Sequence, residues 1–149
     1  MAGFTNKGKY RALEDFARSG DTVRLPLYTS AVAPSADTNT NADLTQIAAG
    51  NGYTDGGPSI VLNGTNVDVL VEDDTNDRAY AQLADVVYTA SGGSIPGSGS
   101  GARYFGLTDN GGTVSAREVF MYWSLTSDRT VSDGQTLTIV NAEFRYNEA

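Results

Sequence analysis

The chain contains no histidine and no cysteine. The first absence removes the only side chain whose unperturbed pKa lies near neutrality, and the second removes both the thiolate nucleophile and the disulfide. No apolar run approaches the ~18 residues needed to span a bilayer, and no apolar stretch follows the basic residues near the N-terminus, so neither a membrane segment nor a secretory leader is expected. Charged residues are also sparse, at 19%. Such a chain is suited to holding, covering or docking. It is not expected to be an enzyme, and no catalytic residue, cofactor or metal site is assigned.

Present instead are 149 residues of which 40% are hydrophobic, with 17 glycines, and a polar surface drawn from Thr, Ser, Asn and Asp. That is the composition of one folded globular domain able to bury roughly two thirds of its unfolded surface. The net charge of -8 is unevenly placed. Met1 to Arg24 carries five basic side chains (Lys7, Lys9, Arg11, Arg18, Arg24) against three acids, and the remainder carries five against fifteen. An acidic body repels phosphate backbones, so nucleic acid is not expected as a partner. The basic start reads either as a solvated helix face or as an anchor for an acidic partner.

Along the chain, Tyr10, Leu13, Phe16 and Ala17 recur at helical spacing after Thr5 or Asn6 as N-cap, which predicts an N-terminal helix stopped by Gly20. Residues 22–29 alternate as a strand that Pro26 confines to an edge or a strand start. A second short helix is expected over Ala42 to Ala49, ended by Gly50-Asn51-Gly52. Strand signals then dominate: a hairpin around Asn63-Gly64, a long strand from Arg78 to Thr89, and a hairpin turn at Asp109-Asn110-Gly111-Gly112. The final strand, Gln135 to Tyr146, changes phase, so a bulge or a switch between sheets is expected near Val140. About seven or eight strands with two short helices predict an all-β fold, an antiparallel β-sandwich of Greek-key or jelly-roll type. Residues 1–20 form a helical anchor segment and 21–149 a single sandwich domain.

Val119-Phe120-Met121-Tyr122-Trp123 is apolar at every position, so that strand either lies centrally in the sandwich or has a face covered by a partner. Phe120, Tyr122 and Trp123, with Lys7, Lys9, Tyr10 and Arg11 of the basic segment, are the candidate partner-binding residues.

Asp73-Asp74-Thr75-Asn76-Asp77 is the densest acidic run, but it lacks the glycine of a calcium loop, and Ala84 stands where the closing glutamate belongs. It reads as a polar turn. Asp37 to Asp43 fails the same comparison, with Ala42 and Ala48 at the diagnostic positions, and reads as a loop with a helix cap. Gly92 to Gly101 lacks the Lys-Ser/Thr of a phosphate loop and reads as a flexible linker or an arm that orders against a neighbour.

Several segments together resemble a known family. Met1-Ala-Gly-Phe-Thr-Asn-Lys-Gly-Lys-Tyr10, Leu27-Tyr28-Thr29-Ser30 leading to Pro34, Asp43-Leu44-Thr45 and Gly50-Asn51-Gly52-Tyr53-Thr54 are similar to small virion proteins of tailed bacteriophages. Gly56-Gly57, Ala102-Arg103-Tyr104 with Thr108-Asp109, and Val131 to Leu137 extend the resemblance over nearly the whole chain. The resemblance implies a β-sandwich virion part, made in the host cytoplasm and often trimeric, with no catalytic residues to carry over. A head decoration (cement) protein on the major capsid protein ranks first, since no long heptads or β-helix repeats suggest a fibre shaft. A tail, baseplate or tail-fibre component ranks second, and a glycan-binding or glycan-cleaving virion module third.

Overall fold

The structure, a computed structural model, describes residues 3–147. Strands make up 41% of the chain and pair antiparallel, so the fold is all-β and sandwich-like in class, with one α-helix at the N-terminus. The chain forms two compact units. The first comprises Met1–Asp21, Val61–Val86 and Ile139–Ala149, and the second Thr22–Ile60 and Val87–Thr138. The N-terminal helix therefore belongs to a unit built from three stretches of chain, whereas the sequence suggests a separate anchor.

In the first unit, helix α1 (Asn6–Ala17) starts at Thr5, whose hydroxyl accepts the Gly8 N–H at 3.1 Å. That bond satisfies one of the orphan donors of the first turn. Lys9, Leu13 and Ala17 recur every fourth residue and are buried. Gly20, at φ 81°, takes the left-handed conformation that lets the chain leave the helix. The helix packs on a sheet ordered β10-β5-β4, formed by Ala142–Asn147, Arg78–Leu83 and Val69–Asp73. Ala79, Ala81 and Leu83 point into the core, and Phe144, opposite Ala81, meets Phe16 of the helix edge to face at 6.0 Å. Small residues on β5 leave room for the helix, and the aromatic pair fills the rest.

The expected hairpin at Asn63-Gly64 does not form. Asn63 instead accepts the N–H groups of Thr65 and Asn66 on its own side chain and that of Val67 on its carbonyl, which closes a helix-like turn between elements that pair elsewhere. The long strand expected from Arg78 to Thr89 breaks at Ala84-Asp85, where the Ala84 N–H bonds to Asn66, and resumes as β6 (Val86–Thr89).

The second unit is organised by β7 (Ala102–Asp109). On one side it pairs with β2 (Leu27–Tyr28) and β1 (Thr22–Arg24), and on the other with β8 (Val119–Arg129). Pro26 is buried in the break between β1 and β2, where its carbonyl accepts the Gly106 N–H at 2.9 Å; a residue without an N–H suits a point where the ladder changes strand. β3 (Ser59–Val61) lies beyond β1. β6 pairs with β9 (Thr136–Ile139), and Asn141, at φ 53°, then redirects the chain into β10, so of the bulge and the sheet switch that the phase change allows, the structure has the switch.

The second short helix is absent as such. Asn41–Asp43 is a single 3-10 turn, and Leu44 is already extended at φ -122°. Thr45 and Ile47 then exchange backbone bonds with Thr29 and Leu27, so the helical spacing of Leu44 and Ile47 is overridden by pairing with β2. The Gly-rich segment is likewise no flexible arm. Ile95 and Pro96 are buried within it, and Ile95 and Val131 exchange both backbone hydrogen bonds at 2.9 Å.

Candidate interaction surfaces and a polar cleft

β8 is an edge strand of its sheet, and along it half-buried and exposed residues alternate. Val119, Met121, Trp123 and Leu125 face inward, with Trp123 tilted against the fully buried Phe105 at 5.1 Å. Phe120 and Tyr122 face outward and are 44% and 43% exposed. The strand is therefore neither central nor buried on both faces, and its apolar run places two aromatic rings on the surface. Edge strands attract other chains unless protected. Here Asn39 accepts the Val119 N–H at one end, and Thr126, at φ 64°, interrupts the strand near the other.

The basic segment is placed differently from its expected role. Lys9 is 1% exposed and braces the first unit from within, its ammonium donating to the Asp77 carbonyl at 2.5 Å and to Asn6 Oδ1 at 3.2 Å. It is thus closed to a docking partner. Lys7 and Arg11 are exposed, and each is already paired with an acid of this chain, Lys7 with Glu72 at 3.0 Å and Arg11 with Glu14 at 2.5 Å. The Glu14 carboxylate raises the pKa of Arg11. Tyr10 is half-buried beneath both cations, with the Lys7 ammonium 4.6 Å from its ring centre. Sequence alone groups these four; the structure separates one internal brace from three surface residues.

The acidic runs are spent on local structure. The Asp73 carboxylate accepts from Arg78 Nε at 2.8 Å and from the Asn76 amide, and these bonds hold its pKa below the ordinary value. Asp43 reaches back to the N–H groups of Thr40 and Asn39, at 2.9 Å each, which lowers its pKa in the same way. Among the described residues no group of three or more carboxylates is arranged to hold a metal ion. Arg117 is buried, and its Nη1 has no hydrogen-bond partner among the described residues; Gly56 makes room for it, since a Cβ there would lie 2.3 Å from that nitrogen.

A cleft of about 850 Å³ opens in the first unit where the α1 N-terminus, the β4-β5 turn and the end of β10 converge. The buried Lys9, Asn76 and Asp77 of the turn, Arg78, Arg145 and Asn147 line it, with the exposed Phe4 at the rim. The antiparallel register of β10 on β5, with Asn147 opposite Arg78, brings these distant stretches together. Periodicity and motif reading missed this cleft because no single stretch of sequence carries it. The run read as a failed calcium loop supplies Asn76 and Asp77 to its lining.

Family models, curated proteins and solved structures yield no match to this chain. Among the described residues no helix is long and apolar enough to cross a membrane.

Proposed function

We propose that this chain is a non-enzymatic structural subunit of a tailed-bacteriophage particle, a homotrimeric decoration protein that binds the major capsid protein lattice and stabilises the head. Support for a virion role comes from the sequence resemblance, and support for a non-catalytic one from the lack of histidine and cysteine. The observation that carries docking is β8: an edge strand presenting Phe120 and Tyr122 outward, beside the half-buried Met121 and Trp123. Interface cores concentrate these residue types, and exposed aromatics in a row are uncommon on a surface that stays in water.

The deciding experiment is localisation and copy number on purified particles, combined with F120S/Y122S. The proposal expects copies spread over the shell and loss of the variant from heads while its circular dichroism is unchanged. A few copies confined to the tail would replace it with a tail or baseplate role, and undiminished attachment of the folded variant would remove β8 from the interface.

A further inference from the structure

The polar cleft of the first unit is independent of β8 and of any docking role, and its chemistry is specific. Its volume of about 850 Å³ lies within the range of small-molecule sites. Charge excludes the simplest ligands. Lys9, Arg78 and Arg145 line it beside Asp77, and the arginines are held by acids just outside the lining, Arg78 by Asp73 at 2.8 Å and Arg145 by Glu143 at 2.5 Å. Among the described residues the three cations of the lining are thus accompanied by three carboxylates, one in the lining and two just outside it. A phosphate, a sulfate or a metal ion would find no net attraction there.

What the cleft offers instead is a dense mixture of donors and acceptors. The amides of Asn76 and Asn147 each donate and accept, the guanidinium groups only donate, and the Asp77 carboxylate only accepts. Neighbouring hydroxyls of a sugar do both, and so match such a lining at any orientation of their protons. Part of the lining is also fixed in advance. The Asp73 carboxylate holds both Asn76 and Arg78, and Asn6 is held between Lys9 and Asp74. At those positions little side-chain entropy remains to be lost on binding. At the rim Phe4 is 53% exposed, its ring set edge-on to Tyr146 at 5.4 Å. An exposed ring anchored by a second one is a platform for the C–H face of a pyranose, the apolar side of an otherwise polar molecule.

We infer that this cleft binds a neutral oligosaccharide, with Phe4 stacking on one sugar ring and Asn147, Asp77 and Arg145 bonding its hydroxyls.

The test titrates the full chain with neutral glucose-, galactose- and mannose-based trisaccharides, followed by saturation-transfer NMR and calorimetry. A sulfated trisaccharide serves as the charged comparison. Saturable binding of a neutral probe is expected, weakened about tenfold, roughly 1.4 kcal/mol, by Phe4→Ala and again by Asn147→Ala. Both substitutions fall on exposed residues, so retained circular dichroism separates lost binding from lost folding. Three results would overturn the inference: no saturable binding of any neutral probe, binding that survives the double variant, or a preference for the sulfated probe that vanishes with salt.

Discussion

The two units solve the same problem, fixing irregular backbone to a sheet, with a different balance of chemistry. In the first, long cations do it: Lys9 reaches the Asp77 carbonyl, and Arg18 donates to the carbonyls of Asn63 and Val67 at 3.0 and 2.5 Å. In the second, neutral buried hydroxyls join the cation Arg24, which donates to the Gly57 carbonyl at 3.2 Å. Tyr88 donates to the Leu25 carbonyl at 2.7 Å, Tyr28 to Asn41 at 2.5 Å, and Tyr53 accepts the Leu27 N–H at 3.0 Å. The location of water explains the contrast. The stem of the exposed Arg18 can cover apolar surface while its head stays near solvent, whereas the buried Lys9 ammonium is satisfied by the Asp77 carbonyl and Asn6. A loop buried on a sheet needs a group that carries no charge to desolvate.

The contrast can be broken most severely at Gly57 in the second unit. It sits at φ 73°, and a Cβ there would lie 2.0 Å from the Leu25 carbonyl oxygen, a backbone atom that cannot swing aside. Gly57→Ala is expected to cost more than about 4 kcal/mol and to leave little folded protein, read by the fluorescence of Trp123, the single tryptophan. Near-native fluorescence and a small loss in urea midpoint would show that the turn relaxes.

Alkali sharpens the contrast next. Burial raises the pKa of Tyr28, Tyr53 and Tyr88 above the ordinary tyrosine value. A group whose pKa is raised by folding contributes fully below its unfolded value, and that contribution is lost as pH rises. All three buried tyrosines belong to the second unit, so above about pH 10 its amides should lose hydrogen-exchange protection before those of β5 and β10. In acid the carboxylates reverse the sign. Asp73 and Asp43 have lowered pKa values, so what they contribute is present above about pH 4 and disappears below it, in one loop of each unit. Simultaneous loss of both units in alkali would contradict the assignment.

The smallest expected effect is at Lys9. Lys9→Ala removes a buried stem and leaves the Asp77 carbonyl without its donor, for a loss of about 2–3 kcal/mol in chemical unfolding. Lys9→Met keeps the stem and should recover part of that loss. If both variants lose equally, the hydrogen bonds matter more than the packing.

Much of this architecture was legible in the chain. The N-terminal helix follows from the Thr5 cap and the helical spacing of Tyr10, Leu13, Phe16 and Ala17, although the structure buries Lys9 with Leu13 and Ala17 and leaves Tyr10 and Phe16 half-buried, and the all-β class follows from the turn residues between alternating runs. The switch from β9 to β10 follows from the phase change around Val140 and Asn141. The failures share a cause. Leu44 and Ile47 have helical spacing, and Asn63-Gly64 has the letters of a hairpin, yet both are governed by groups distant in sequence or by a side chain that bonds its own backbone. Glycine richness suggested flexibility at residues 92–101, whereas Gly93 and Gly97 pack against the Asn51 side chain and Gly101 lies against the Arg129 backbone.

The sequence by itself determined the absence of histidine and cysteine, the acidic balance, the helix at the start and the β character of the rest, because these depend on residue type and short-range period. Tertiary structure decided that the apolar run of β8 sits at an edge with Phe120 and Tyr122 outward, and that Lys9 is internal while Lys7 and Arg11 are not. It also decided that residues near positions 5, 77 and 146 enclose a polar cleft. Exposure and convergence are properties of strand order and register, and register is set by pairings such as Asn147 with Arg78, between residues that no local pattern connects.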